Sequence, residues 1–209
     1  MTRRRTGPGR LVALEGIDGV GKSTLARAIA RGLRARGLSV AVRREPSDPG
    51  LGRLAQSASV TDPWAGAVYF TLDRSLALPS LERDLAAHDV VVTDRSLFST
   101  LAYQGSALRP RERRRLAEMQ RAVTRSPDAV LLLDLDPREA LQRLGRRSPG
   151  RGPLERLRTL ERVAAAYRGM ARRHRWTVLD ARLPREELVA LALRQLGLPR
   201  NAGRRPGRR

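Results

Sequence analysis

The chain has 209 residues, 41% of them hydrophobic, which is enough to bury the core of an α/β domain. It has no cysteine, so a disulfide framework, a thiolate metal site and a cysteine nucleophile are excluded. No apolar run is long enough to span a membrane, and the basic N-terminus lacks the apolar stretch of a signal peptide. We therefore expect a cytoplasmic protein.

The formal net charge is +21, and nine arginines in the first and last ten residues contribute to it. These segments contain Gly and Pro but no acid, so we expect disordered basic tails at residues 1–10 and 199–209. A single domain would span residues 11–198. Aromatic residues make up only 3% of the chain, too few for a platform that stacks successive bases. We expect no specific nucleic-acid recognition, although the tails can bind nucleic acid non-specifically.

The first patterned stretch, residues 16–24, reads GIDGVGKST and fits the phosphate-loop pattern G-x-x-x-x-G-K-[ST]. An apolar, strand-like run precedes it at residues 11–15, and apolar residues follow it at helical spacing. Lys22 would contact the outer phosphates, and Ser23 would offer its hydroxyl to Mg²⁺. Lys22 is the only lysine among 42 basic residues, which indicates a need for a compact ammonium. The predicted nucleotide contacts in the loop are Gly16, Asp18, Gly19, Val20, Gly21, Lys22, Ser23 and Thr24.

Strand and helix patterns alternate along the rest of the chain, which predicts an α/β fold with a parallel sheet of about five strands and helices on both faces. Residues 47–52 are expected to be a loop, because Pro and Gly punctuate them. The helical pattern of residues 63–87 is expected to break near Pro79. Beyond the first strand, further strands are predicted at residues 38–43, 90–92, 129–134 and 176–179, and further helices at 97–106, 111–125, 138–145, 155–173 and 184–196.

Asp94 and Arg95 follow the third strand, at the sheet edge where parallel α/β folds bind ligands. The carboxylate of Asp94 is suited to hold Mg²⁺ or its waters, and the guanidinium of Arg95 can fork onto a phosphate. A surface ion pair is the alternative interpretation of these two neighbours, and their positions alone do not decide between the two.

Four motifs in order carry a resemblance to a known family. They are the phosphate loop, Arg44-Glu45-Pro46, F-x-x-D-R at residues 70–74, and D-R-x-x-x-S-x-x-A-Y-Q-G at residues 94–105. Over residues 11–196 the chain resembles bacterial thymidylate kinases, which transfer the γ-phosphate of ATP to dTMP. The resemblance implies a P-loop NTPase-type fold, ATP and Mg²⁺ as cofactors, small nucleotide substrates and a homodimer.

The resemblance also implies roles for acceptor residues. Phe70 would stack on thymine, Arg74 would hydrogen-bond a base carbonyl, and Thr100 would read the base edge. Tyr103 would lie against the deoxyribose and exclude a 2′-hydroxyl. Core packing is the alternative for Phe70 and Tyr103, and a plain helix position for Thr100. Asp18 would meet the sugar's 3′-hydroxyl and Arg95 the acceptor phosphate, so the predicted acceptor set is Asp18, Glu45, Phe70, Arg74, Arg95, Thr100, Tyr103 and Gln104.

An arginine-rich stretch at about residues 146–154 occupies the position of the family's lid. Some family members carry an arginine at the position of Gly19, whereas others have Gly there and supply the catalytic arginine from the lid. A positioned guanidinium stabilises the charge that develops during phosphoryl transfer. A solvated basic loop is the competing interpretation. Arg143 is expected near the adenine, and the predicted catalytic set is Lys22, Asp94, Arg95, Arg146, Arg147 and Arg151.

Three departures from the family pattern leave alternatives open. Ser47-Asp48-Pro49-Gly50 replaces the usual Gly-Gly-Thr stretch, Ser96 replaces an aromatic, and the lid lacks its usual acids. The leading hypothesis is direct in-line phosphorylation of dTMP to dTDP by ATP. The alternatives are a divergent kinase for another nucleotide or nucleoside, and a nucleotide-binding regulatory or nucleic-acid-associated protein without turnover.

Overall fold

A computed structural model of the protein describes residues 8–145 and 153–198. Its five strands are all parallel and lie in the order β2-β3-β1-β4-β5, which confirms the predicted parallel α/β sheet. The strands are β1 (Arg10–Glu15), β2 (Val40–Arg44), β3 (Val90–Asp94), β4 (Ala129–Asp134) and β5 (Thr177–Asp180).

Helices connect the strands. They are α1 (Lys22–Ala35), α2 (Pro49–Thr61), α3 (Pro63–Ala87), α4 (Leu97–Tyr103), α5 (Pro110–Val123), α6 (Pro137–Leu144), α7 (Pro153–His174) and α8 (Arg185–Gln195). A short 3-10 turn, Gly105–Ala107, separates α4 from α5. Within the described residues, none of these helices is long and apolar enough to cross a membrane.

Side chains alternate between the two faces of the sheet along each strand, and helices pack against both faces. Leu11 and its register partner Val91 pack with Leu85 of α3 in one buried cluster. Val12 and Val92, which point to the opposite face, belong to the main core together with apolar residues of α1 and α8. The carboxyl ends of the central strands β1 and β3 lie side by side, so the segments that follow them meet at one sheet edge.

Two expectations about regular structure are wrong. Residues 47–52 are not all loop, because α2 begins at Pro49. Asp48 caps this helix by accepting a 2.8 Å hydrogen bond from the Leu51 amide, and proline is well tolerated in the first turn. Helix α3 also continues through Pro79. The hydrogen bond that proline removes is offset by packing beyond it, where Leu81 and Leu85 cover the sheet.

The other predicted elements are present with slightly shifted ends. The strand β1 begins at Arg10, within the range predicted as an N-terminal tail, and the Arg10 Nη1 donates a 2.6 Å hydrogen bond to the Leu196 carbonyl. The predicted tail at residues 199–209 and the lid residues Arg146, Arg147 and Arg151 lie outside the described residues.

Candidate active site

The phosphate loop connects β1 to α1 and bends tightly against neighbouring backbone. Gly16 has a φ of 140°, and a Cβ there would lie 2.5 Å from the Leu133 carbonyl oxygen of β4. Gly19 has a φ of 87°, and a Cβ there would lie 2.5 Å from the Ala140 carbonyl oxygen of α6. An arginine at position 19 therefore cannot be accommodated unless α6 moves.

Lys22 is the first residue of α1, and its side chain is buried with the ammonium in contact with the phosphate loop. Its Nζ donates hydrogen bonds to the carbonyl oxygens of Gly16 at 3.0 Å and Ile17 at 2.7 Å. Burial, with the nearby charge of Arg95, lowers the pKa of Lys22 to about 8, although Asp18, Asp94 and Glu15 oppose the shift. A bound polyanion would favour the charged form of this side chain.

Ser23 and Asp94 form a pair between α1 and the end of β3. The Ser23 hydroxyl donates a hydrogen bond to Asp94 Oδ2, while Asp94 Oδ1 is buried and has no hydrogen-bond partner among the described residues. An unpaired carboxylate oxygen beside a hydroxyl fits Mg²⁺, which binds through few protein ligands plus phosphates and water. The described residues contain no cluster of three or more His, Cys, Asp or Glu side chains that would hold a metal by themselves.

Arg95 links the phosphate loop to the neighbouring cavity. Its Nη2 donates to Asp18 Oδ1, its Nη1 donates to Ser99 Oγ at 3.0 Å, and its guanidinium carbon lies 5.1 Å from the Tyr103 ring centre. Although partial burial opposes ionisation, Arg95 and Lys22 hold the pKa of Asp18 below its usual value. Arg95 has a φ of 81°, a strained conformation for a residue with a side chain and one that clusters at functional sites.

Arg74 of α3 is buried and held by four neighbours. Its Nε and Nη2 donate to Glu45 Oε2 at 2.8 and 2.6 Å, and its Nη1 donates to Gln120 Oε1 at 2.7 Å. The Nη2 also reaches the Ser96 carbonyl oxygen at 3.1 Å and Thr100 Oγ1 at 3.3 Å. These bonds fix the guanidinium before any ligand binds, and they identify Glu45 as an anchor for Arg74.

A cavity of about 430 Å³ opens beside the loop. All eight residues predicted for the acceptor line it, so the structure brings together side chains from the loop, the β2–α2 connection, α3 and the α4 region. The lining residues are Asp18, Arg44, Glu45, Pro46, Gln56, Ser59, Val60, Phe70, Arg74, Arg95, Ser99, Thr100, Tyr103 and Gln104.

Three further predicted residues, Val20, Thr24 and Arg143, do not line this cavity. Arg143 of α6 donates to Glu139 Oε1 at 3.2 Å and to the Ala181 carbonyl oxygen at 3.1 Å, beside the turn after β5. Val20 is buried in the main core, so only its backbone is free to face phosphates. Thr24 is exposed in the first turn of α1.

Sequence reasoning did not identify the residues that support these arginines, which are Glu15, Ser96, Ser99, Gln120 and Tyr167. The role of Glu15 could have been predicted, since it is a charged residue at the end of an apolar strand directly before the loop. The roles of Gln120 and Tyr167 could not, because these residues reach the site from α5 and α7, which are distant in the chain.

Comparisons with known proteins cover most of the chain. Residues 14–192 match the family model described as Thymidylate kinase. Similar proteins include a probable thymidylate kinase of Metallosphaera sedula, 32% identical over 88% of this chain and 90% of the relative. Another, from Archaeoglobus fulgidus, is 35% identical over 85% of this chain and 90% of the relative. The thymidylate kinase of Leifsonia xyli is 38% identical over 88% of this chain and 92% of the relative. The chain belongs to the thymidylate kinase family.

Proposed function

We propose that the protein transfers the γ-phosphate of ATP to dTMP, giving ADP and dTDP. One observation carries the proposal: Asp18 belongs to the phosphate loop, lines the neighbouring cavity and pairs there with Arg95. A donor phosphate on the loop and an acceptor phosphate on Arg95 would therefore meet at this contact. Family membership supports the same reaction.

In the proposed mechanism, the protein aligns the two phosphates and stabilises charge on the transferring group. Lys22 neutralises the outer phosphates of ATP, and Arg95 orients the acceptor phosphate, whose oxygen is already a nucleophile, so no strong general base is needed. Ser23 and Asp94 would hold Mg²⁺, which supplies further charge neutralisation when bound. The lid arginines Arg146, Arg147 and Arg151 remain the candidates for the guanidinium that stabilises the transition state.

Base selection is assigned to the far end of the cavity. Arg74 is fixed by Glu45 and Gln120, and the second Nη1 N–H, which the bonds described above do not use, would donate to a thymine carbonyl without reorganisation of the side chain. Phe70 would cover the ring, Thr100 and Gln104 its polar edge, and Tyr103 the deoxyribose. Arg143, which does not line the acceptor cavity, would lie near the adenine of ATP.

We further propose that the protein is a homodimer that pairs through α3. Val68, Leu72 and Leu76 recur every four residues along this helix with exposures of 44%, 44% and 67%. Leu54 of the adjoining α2, which does not line the acceptor cavity, is also 52% exposed. A second copy of the chain would cover this apolar surface. The cytoplasmic location expected from the sequence remains a prediction.

The decisive experiment measures ADP release from ATP and Mg²⁺ with dTMP, dUMP, dCMP, dGMP or AMP. We expect dTMP to be phosphorylated with the highest kcat/KM, and Lys22→Ala to lower kcat/KM by at least about 100-fold, because the outer phosphates then lose the ammonium that stabilises their charge in the transition state. Chelating Mg²⁺ with EDTA should abolish turnover. A higher kcat/KM for another acceptor would reassign the substrate, and nucleotide binding without ADP release would support a protein without turnover.

A further inference from the structure

A fully buried carboxylate lies behind the proposed phosphate clamp. Glu15 ends β1, is 0% exposed and does not line the acceptor cavity. Three hydroxyls donate to it, Ser96 Oγ to Oε1 at 2.7 Å, and Ser99 Oγ and Tyr167 OH to Oε2 at 2.7 and 2.8 Å. The donors come from the turn after β3, from α4 and from α7.

Ser99 connects this carboxylate to Arg95. A serine hydroxyl has one proton, so the bond that Ser99 donates to Glu15 leaves its lone pairs free to accept from Arg95 Nη1 at 3.0 Å. The Tyr167 hydroxyl lies 2.9 Å from Ser99 Oγ and holds the same oxygen of Glu15. Glu15 and Tyr167 thus fix which way the Ser99 proton points, and Ser99 in turn fixes Arg95.

Ser96 extends the network to the second arginine. Its side chain donates to Glu15, and its carbonyl oxygen accepts from Arg74 Nη2 at 3.1 Å. Ser96 also caps the N-terminus of α4, where its hydroxyl accepts a 3.3 Å hydrogen bond from the Phe98 amide. The serine that replaces an aromatic at this position therefore ties the turn carrying Arg95 to the buried carboxylate.

Burying a carboxylate is expensive, which argues that Glu15 has a role beyond filling space. Burial raises the pKa of Glu15, while the bonds from Ser96 and Ser99, the charge of Arg95 and the bond from Tyr167 oppose the shift. An apolar side chain would fill the same volume without this cost, but it would leave the three hydroxyls without their shared acceptor.

We propose that Glu15 and Tyr167 are positioning residues for phosphate recognition, which hold Arg95 against Asp18 through Ser99. The inference rests on the proposed role of Arg95 at the acceptor phosphate. Neither residue touches the substrate. Tyr167 acts on the acceptor through Ser99 and Arg95, so its effect is confined to the part of the ligand that Arg95 contacts. Glu15 also holds Ser96 beside Arg74, so it affects the base end of the ligand as well.

The test compares binding of dTMP with binding of thymidine, which has the same base and sugar but no phosphate, by calorimetry on the full chain. We expect Tyr167→Phe to weaken dTMP binding by about tenfold and to change thymidine binding less than about twofold. Glu15→Gln should weaken dTMP binding by a larger factor than thymidine binding, because the loss through Ser96 and Arg74 is common to both ligands and the loss through Ser99 and Arg95 affects dTMP alone. If the two residues had a purely structural role, each substitution would lower the affinities for dTMP and thymidine by the same factor. Equal losses would therefore overturn the proposal. Tyr167→Phe keeps the test informative if Glu15→Gln does not fold.

A double-mutant comparison tests the route through Ser99. In a Ser99→Ala background, Glu15→Gln should cause no further loss of dTMP binding relative to thymidine, whereas an undiminished further loss would contradict the relay. Arg95→Ala separates this inference from the proposed function. If Arg95→Ala lowers the preference for dTMP over thymidine and Glu15→Gln does not, only the positioning role fails. If Arg95→Ala leaves that preference unchanged, the phosphate clamp and the inference both fail.

Discussion

At the scale of single residues, Gly19 shows how packing restricts the phosphate loop. Its Cβ position is blocked by the backbone of α6, and its positive φ strains any other residue. The sequence shows that no arginine stands at position 19, and the close contact between the loop and Ala140 explains why a side chain does not fit there.

We predict that Gly19→Ala weakens ATP binding by about tenfold or more, because the loop must move away from α6 to relieve the contact. Titration with ATP measures the change. Gly169→Ala is the matched control, since Gly169 lies in α7 with open space around its Cβ position. This control should leave ATP binding unchanged and raise stability slightly, because alanine favours the helix. Equal ATP affinities for Gly19→Ala and the native chain would contradict the prediction.

At the scale of elements, α3 organises the acceptor side of the site through two adjacent residues. Arg74 holds Glu45, while the buried carboxylate of Asp73 accepts from the Ser47 amide at 2.8 Å and the Asp48 amide at 2.7 Å. The F-x-x-D-R motif therefore combines cavity-lining residues with an anchor for the start of α2. The sequence alone did not distinguish these two uses.

Replacing Asp73 with alanine should lower the free energy of unfolding by about 2–4 kcal/mol, because two amides lose their buried acceptor. Urea denaturation measures this change, and the KM for dTMP should rise because the segment after Glu45 is released. Glu82→Ala on the same helix is the control. Glu82 is half-exposed, and its contact with Arg125 is 3.5 Å long, so its loss should cost less than about 1 kcal/mol. Equal effects of the two substitutions would refute the anchoring role.

At the scale of the whole molecule, the exposed stripe on α3 supports the proposed homodimer. Leu72→Glu with Leu76→Glu should convert a dimer to monomers, because two carboxylates per subunit would be buried without partners. Sedimentation velocity measures the change. Val178→Glu is the control, since Val178 is 52% exposed on β5, away from the stripe, and should leave the dimer intact. A native chain that sediments as a monomer at micromolar concentration would refute the proposal.

The predictable parts of the fold and site are those encoded in neighbouring residues. Apolar runs predicted the strands, because parallel strands buried on both faces need continuous apolar sequence. The phosphate loop and the Asp94–Arg95 turn were visible because each is a contiguous motif. The start of α2 and the continuity of α3 were missed. Pro49 is favourable in a first helical turn, and packing beyond Pro79 outweighs the local preference for a break.

By itself, the sequence determined the parallel α/β architecture, the phosphate loop with its single lysine, and the motifs that line the acceptor cavity. Only the tertiary structure decided how the arginines of that cavity are held. Glu15 and Tyr167 are 152 positions apart, yet they share a buried hydrogen bond. Local spacing cannot specify such a contact, because it depends on which strands lie side by side and which helix crosses their ends. Arg95 is set in place by that arrangement.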